Sequence, residues 1–347
     1  MKMHRKDIRS LSKEQLREFF TQHQQAAFRG NQVYDWLWSK KCTSFDDFTN
    51  LSKDLRTFLK EHFVIQPIRV DQIQRSNDGT IKNAVKLHDG LVVESVLIPT
   101  ETRTTACVSS QVGCSLDCKF CATAQLKRMR NLEPGEIFDQ VVVIDQESRM
   151  YFNRPLSNIV FMGMGEPLMN YPNVMKAIDR ITAADGLGMS AKRITISTSG
   201  IPKMIKKMAD DGVKCKLAVS LHSAVESTRN QIMPFSKNFP LTELRDSLQY
   251  WYQKTKSKIT YEYVVWKGIN DTPEAINALV KFCKHVPCKV NIIEYNPIDN
   301  GIFQQADDAI LEQYVEALKQ IQVVAKVRRS RGKDIDAACG QLANKSK

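Results

Sequence analysis

No stretch of this sequence holds the roughly 18–20 consecutive apolar residues that a bilayer-spanning helix needs, which excludes a helical membrane protein. Basic residues stand near the start at Lys2, Arg5 and Lys6, but no apolar run follows them, so no secretory signal is read and a cytoplasmic protein is expected. Internal repeats and low-complexity linkers are missing too. The 347 residues therefore divide most simply into one large α/β domain and a small accessory domain. Histidine is scarce, with six in the chain and none near the cysteine cluster described below. Cysteine is not scarce, but its count of nine is odd and three of the nine are clustered. That excludes a secreted disulfide framework and points to thiolate chemistry in a reducing compartment.

Charge of one sign dominates. The formal net charge is +12, and residues 1–60 carry twelve Lys/Arg against seven Asp/Glu, while residues 326–347 carry seven against two. A basic excess at both ends implies a polyanionic partner. RNA or DNA fits better than a membrane surface, because no basic amphipathic anchor is present.

The cysteine cluster is Cys114-Ser115-Leu116-Asp117-Cys118-Lys119-Phe120-Cys121. Three thiolates at C-x3-C-x2-C can wrap one metal centre, yet they fall one short of the four that close a structural zinc or ordinary iron–sulfur site. In a [4Fe–4S] cube they would hold three irons and leave the fourth open. That iron could chelate the amino and carboxylate groups of S-adenosylmethionine (SAM) and pass an electron to its sulfonium. The spacing, with Phe120 before the last cysteine, resembles the radical-SAM signature. A zinc site with a distant fourth ligand is the alternative reading.

Residues 1–65 read as helices, with Ser12 and Gln15 as a capping box, an aromatic helical segment Val33–Trp38 after Gly30-Asn31, and Ser52 capping a third helix. From 66 to 99 the pattern turns to strands around Asn77-Asp78-Gly79 and His88-Asp89-Gly90, an antiparallel connector in which Glu94 interrupts an apolar run. Beyond it strands and helices alternate. The strands expected are Thr104–Ser109, Asn158–Met162, Arg193–Ser197, Lys216–Leu221, Lys258–Val265 and Cys288–Ile293, with Val323–Val327 as a final edge. Six βα units are too few for a closed eight-stranded barrel, so a partial (β/α)6 barrel spanning 100–347 is expected, with its chemistry at the carboxyl ends of the strands.

Polar clusters recur at those ends. The cysteine loop follows the first strand and Gly163-Met164-Gly165-Glu166-Pro167 the second. In the latter, glycines admit a ligand to the backbone and Glu166 can accept from an ammonium group. Ser197-Thr198-Ser199-Gly200, Ser220-Leu221-His222 and Glu294-Tyr295-Asn296-Pro297 follow later strands. Near the C-terminus, Cys339 lies between small residues after a basic run, a poor core position and a setting that favours a thiolate nucleophile.

Taken together, Cys107-Val108-Ser109-Ser110-Gln111-Val112-Gly113-Cys114, the cysteine triplet, Met162–Pro167 and Asp336-Ala337-Ala338-Cys339-Gly340-Gln341-Leu342 resemble the RlmN family. These are radical-SAM methyltransferases acting on carbon-2 of an adenine in large-subunit ribosomal RNA and in certain transfer RNAs. The related Cfr family methylates carbon-8, and it is the alternative; Pro167 and Ser199 look more like the carbon-2 branch. The resemblance implies a [4Fe–4S] cluster on Cys114, Cys118 and Cys121. It implies SAM contacts at Gly165, Glu166, Ser197, Ser220, Leu221, His222 and Asn296. It further implies that Cys339 carries a methyl group taken from one SAM, that a second SAM yields the radical that activates this methyl, and that Cys107 resolves the protein–RNA adduct through a disulfide with Cys339. Glu94 matches the family's active-site acid. A helical RNA-binding domain over 1–65, a monomer, and a flavodoxin-like or ferredoxin-like electron donor complete the expectation. A radical-SAM enzyme on a small molecule would not need Cys107, Cys339 or a basic helical domain. A non-catalytic zinc protein would not need Gly165-Glu166-Pro167.

Overall fold

Ser12 and Gln15 close the expected capping box, the Gln15 N–H donating to Ser12 Oγ at 3.1 Å and the Ser12 N–H to Gln15 Oε1 at 2.9 Å. In the computed structural model, which describes residues 5–299 and 301–344, a short strand β1 (Lys6–Asp7) precedes helix α1 (Lys13–Gln22). Helices α2 (Phe28–Trp38) and α3 (Lys53–His62) follow, the latter capped by Ser52. Helix α2 begins before Gly30 rather than after it. Here α1 and α2 approach so closely that a Cβ on Gly30 would lie 2.6 Å from the Arg17 backbone nitrogen. Strand β2 (Phe63–Val64) pairs in parallel with β1, a contact too short to leave a periodic signal.

The strands β3 (Arg69–Arg75), β4 (Ile81–Lys86) and β5 (Val92–Pro99) form an antiparallel meander. Gly79 and Gly90 turn it at φ of 86° and 82°. Strand β6 (Thr104–Cys107) pairs antiparallel with β5, so the expected connector is the edge of the main sheet. A clip of β7 (Gln111–Val112) against β8 (Arg130–Asn131) brackets the cysteine loop.

Six βα units then follow. Helix α4 (Pro134–Phe152) leads to β9 (Asn158–Phe161), α5 (Tyr171–Thr182) to β10 (Ile194–Thr198), and α6 (Pro202–Asp210) to β11 (Lys216–Ser220). After β11 come α7 (Glu226–Ile232), which sequence periodicity did not reveal, and α8 (Leu241–Thr255). Strand β12 (Ile259–Val264), α9 (Pro273–Cys283), β13 (Cys288–Ile293), α10 (Asp308–Gln320) and β14 (Val324–Arg328) complete the series. The sheet order is β14-β13-β12-β11-β10-β9-β6-β5-β4-β3, parallel from β14 to β6. Its ends do not pair, yet residues of β6 and β14 line one cavity, so the sheet curls into the open partial barrel expected.

The amino-terminal helices dock on α4. Trp38 meets Phe138 edge-on at 5.0 Å between ring centroids, and the buried Arg9 guanidinium donates to Asp139 Oδ2 at 2.8 Å and to the Gln66 carbonyl at 2.6 Å. One apolar core runs from Ile8 through Val96 and Ile196 to Leu318. No helix among the described residues is long and apolar enough to cross a membrane.

Candidate active site

Two cavities adjoin inside the barrel. The first opens at the carboxyl ends of the strands and gathers Cys114, Cys118, Cys121, Gly165, Glu166, Ser197, Ser220, His222, Asn296 and Cys339. The second, about 610 Å³, extends from Cys107 and Cys339 toward the amino ends. Met162, Glu262, Ile293 and Cys339 line both, so the Cys339 loop stands in the wall between them.

Local geometry explains the glycines of the first cavity. Gly113, just before Cys114, has φ 72°, and a Cβ there would meet the Lys127 carbonyl oxygen at 2.4 Å. Gly165 has φ 91°, and its Cβ would sit 2.4 Å from Gln111 Cβ. The chain therefore passes close behind the ligand loops at both points.

The three clustered thiols sit in a largely apolar pocket with Leu116, Phe120 and Met233. Burial pushes all three up, Cys114 to about 11. Among the described residues no three ligating side chains converge as a single bound ion requires. Three thiols lining one cavity would suit three corners of an iron–sulfur cube, whose fourth iron would stay open. A buried cation lies beside the loop as well. Arg229 of α7 is fully buried, donates from Nη2 to the Ser199 carbonyl at 2.7 Å, and leaves Nε and Nη1 without partners. Burial lowers it to about 10, opposed by Cys118 and Glu226. A positive charge there complements thiolates carrying an anionic cluster. The loop is braced on the same segment, Lys119 N–H donating to the Ile232 carbonyl at 3.0 Å and Phe235 N–H to Asp117 Oδ1 at 2.8 Å.

Glu166 is buried, its Oε2 accepting Ser199 N–H at 2.8 Å and Oε1 accepting Leu168 N–H at 3.0 Å. Burial raises its pKa and these bonds oppose the rise. His222 is buried with Nδ1 accepting the Val264 N–H at 3.2 Å, and burial lowers it to about 3. It is therefore neutral near pH 7 with its proton on Nε2, where it can donate. Asn296 Nδ2 donates to the Cys339 carbonyl at 3.2 Å, and Ala122 N–H to the Gly340 carbonyl at 2.7 Å. These bonds tie the Cys339 loop to both the carboxyl end of β13 and the cysteine loop.

Cys107 is buried, its thiol pushed up to about 12 by burial with Cys339 adding to the shift and Arg328 opposing it, whereas Cys339 is exposed. The two thiols, far apart in the chain, line one cavity. Two expected site residues stand outside both walls. Leu221 lies in the apolar core, its backbone N–H donating to the Glu262 carbonyl at 3.0 Å. Glu94 is fully buried, 3.4 Å from Lys82 Nζ, and its Oε2 accepts the N–H groups of Ala343 and Asn344. It meets the tail rather than the cavity. Sequence reasoning missed Glu262, the one charged residue of β12, and Arg229, which lies on the unforeseen α7, and it read Arg328 only as part of the basic run before Cys339.

Comparison with known proteins agrees with this geometry. Residues 6–65 match the ribosomal RNA large subunit methyltransferase N-terminal domain, and residues 108–283 match the radical SAM superfamily. The chain is 74% identical over 345 residues to the probable dual-specificity RNA methyltransferase RlmN of Flavobacterium psychrophilum, covering 99% of each chain. It is 41% identical to the corresponding protein of Salinibacter ruber, over 98% of this chain and 94% of that one. A crystal structure of a radical SAM methyltransferase from Sphaerobacter thermophilus superposes with a TM-score of 0.91 at 34% identity, covering 97% of this chain and 99% of that one.

Proposed function

The chain belongs to the RlmN family of radical-SAM RNA methyltransferases, and on that premise we propose that it methylates carbon-2 of adenine in 23S ribosomal RNA and in certain transfer RNAs, in the cytoplasm, with Cys339 as methyl carrier. The observation that supports this most is the position of Cys339 in the wall shared by the two cavities. One side offers the residues suited to a cluster and SAM; the other holds Cys107.

When bound, the cluster and SAM supply the methyl group and the hydrogen-abstracting radical. The protein's own groups do the rest. Glu166 would accept from SAM's amino group and His222 would donate to the cofactor from Nε2, with Gly165, Ser197, Ser220 and Asn296 lining the same cavity. Cys339 gives up its thiol proton on accepting the methyl group, and that carbon then bonds to carbon-2 of the base. An adenine carbon-2 is not nucleophilic, so a carbon delivered as a radical reacts where direct transfer from a sulfonium would not. Carbon-2 then gives up its hydrogen as a proton, with Cys107, a protonated thiol until the base arrives, helping to remove it. The bond from the added carbon to the Cys339 sulfur breaks as Cys107 joins Cys339 in a disulfide, and that carbon takes up a proton and stays on the base as its methyl group. Glu94 in this proposal holds the carrier loop through Ala343 and Asn344. A flavodoxin-like or ferredoxin-like donor supplies the electrons, and the helical segment 1–65 contributes to RNA binding.

Mass spectrometry of ribosomal and transfer RNA nucleosides tests the proposal in cells lacking and regaining this chain. 2-Methyladenosine should vanish and return with it. Return of 8-methyladenosine instead would establish the carbon-8 activity, and no change in either nucleoside would overturn RNA methylation at adenine.

A further inference from the structure

The second cavity has a far end that the proposed chemistry leaves unused. Parallel strands bring all their amino ends to one side of the barrel, and side chains alternate in and out along each strand with a period of two. On β13, Lys289, Asn291 and Ile293 face inward; on β14, Val324, Lys326 and Arg328 do; on β6 and the residue before it, Arg103, Thr105 and Cys107 do. Lys216 opens β11 and faces the same space. Arg103, Lys216, Lys289 and Lys326 thus converge on one opening, all four exposed.

None of the four makes an ion pair within 4 Å or a side-chain hydrogen bond among the described residues. Among the described residues the cavity wall holds a single carboxylate, Glu262, which lies deeper and accepts from Asn291 Nδ2 at 2.9 Å. The rim cations act on one another: burial and then Lys216 lower Lys289, Arg103 and Lys326 add to this, and Glu262 opposes it. Solvated surface lysines ordinarily spread away from like charge. Four that converge unneutralised on a cavity mouth create a focused positive potential, which attracts a polyanion and steers it inward.

We propose that Arg103, Lys216, Lys289 and Lys326 form a phosphate-binding rim through which the target RNA strand presents its adenine to Cys339 and Cys107 from the amino end of the barrel. The inference rests on the proposed function. The opposite mouth is crowded by the cysteine loop and the residues assigned to SAM, so a base reaching Cys339 there would compete with the cofactor for space. From Arg103 to Cys107 is four residues of strand, about 13 Å at the usual rise of roughly 3.3 Å. One extruded nucleotide, with its phosphates gripped by long basic side chains at the rim, can bridge that depth. Phosphate contacts of this kind fix register and supply affinity without reading sequence.

The test uses holoenzyme and a stem–loop RNA with an unpaired adenosine in its loop. Affinity is measured from low to high salt for wild type, for Lys216→Gln/Lys289→Gln/Lys326→Gln, and for Lys203→Gln/Lys206→Gln/Lys281→Gln, which removes equal charge from exposed positions on the outer helices. Each phosphate neutralised on a single strand adds roughly 0.7 to the log–log salt slope, so the rim variant should lose about 2 from the slope, while the outer variant keeps it. Iron content of each variant checks folding. Equal slopes and affinities for wild type and rim variant, with wild type still methylating RNA, overturn the rim alone. Equal losses in both triple variants also overturn it, by showing that only net charge matters. A wild-type holoenzyme that neither binds nor methylates RNA overturns the rim and the proposed function together.

Discussion

The carboxylate of Glu94 accepts the backbone N–H of Ala343 at 2.8 Å, which ties strand β5 to the segment just beyond Cys339. Asn344 N–H donates to the same oxygen at 3.2 Å, and Lys82 stands 3.4 Å from the other. Lys82 and Glu94 are both buried. Removing one partner of a buried pair leaves the other charge uncompensated, at a cost of about 3–5 kcal/mol. Lys82→Met should therefore destabilise the protein on that scale in urea unfolding and raise amide exchange over 337–344. Combining it with Glu94→Gln should recover part of the loss. Unchanged exchange in Lys82→Met would show that the pair does not hold the loop.

Cys118→Ala removes one of the three thiols proposed to hold the cluster and leaves no spare among its neighbours. The variant should fold, since the exchange costs little apolar volume, yet retain no iron and yield no deoxyadenosine from SAM. Iron analysis and chromatography of the SAM products decide this. Normal deoxyadenosine production would sink the radical-SAM reading of this chain.

The two thiols of the second cavity should fail in different ways. Cys339→Ala removes the proposed methyl acceptor and should give neither methylated RNA nor a covalent adduct. Cys107→Ala should accept the methyl group, add to the base and stall, carrying RNA that survives denaturation. A denaturing gel with and without ribonuclease separates the two, and identical adduct-free lanes would remove the covalent mechanism.

His222 makes the apoprotein acid-sensitive. Its folded pKa, about 3, lies below the ordinary 6.5 because burial disfavours the imidazolium. Below pH 6.5 the unfolded chain binds a proton that the folded one refuses. This contribution to stability is thus complete above pH 6.5 and declines as pH falls toward 3, by up to about 1.4 kcal/mol per unit. His222→Gln should flatten that part of the stability profile in urea titrations between pH 7 and 4. A profile unchanged by the substitution would show that His222 titrates normally.

Much of this protein is legible without coordinates, because the relevant signals are local. The Ser12–Gln15 box, the Asn-Asp-Gly turn at Gly79 and the alternation of strands with helices each depend on a few neighbouring residues. The spacing of Cys114, Cys118 and Cys121 likewise states its chemistry within one loop. Other features required the fold. Helix α7 is only seven residues long, too short for its period to stand out, so Arg229 went unseen beside Cys118. The joining of the β3–β5 meander to the barrel sheet depends on the β5–β6 register, which no local pattern specifies. Glu94 reads as a polar interruption in an apolar strand, and only packing revealed that it grips the tail. The convergence of Arg103, Lys216, Lys289 and Lys326 is likewise invisible along the chain. Arg103, Lys216 and Lys289 stand at or beside the starts of their strands and Lys326 in the middle of β14, and the curl of a parallel sheet alone brings them around a single opening.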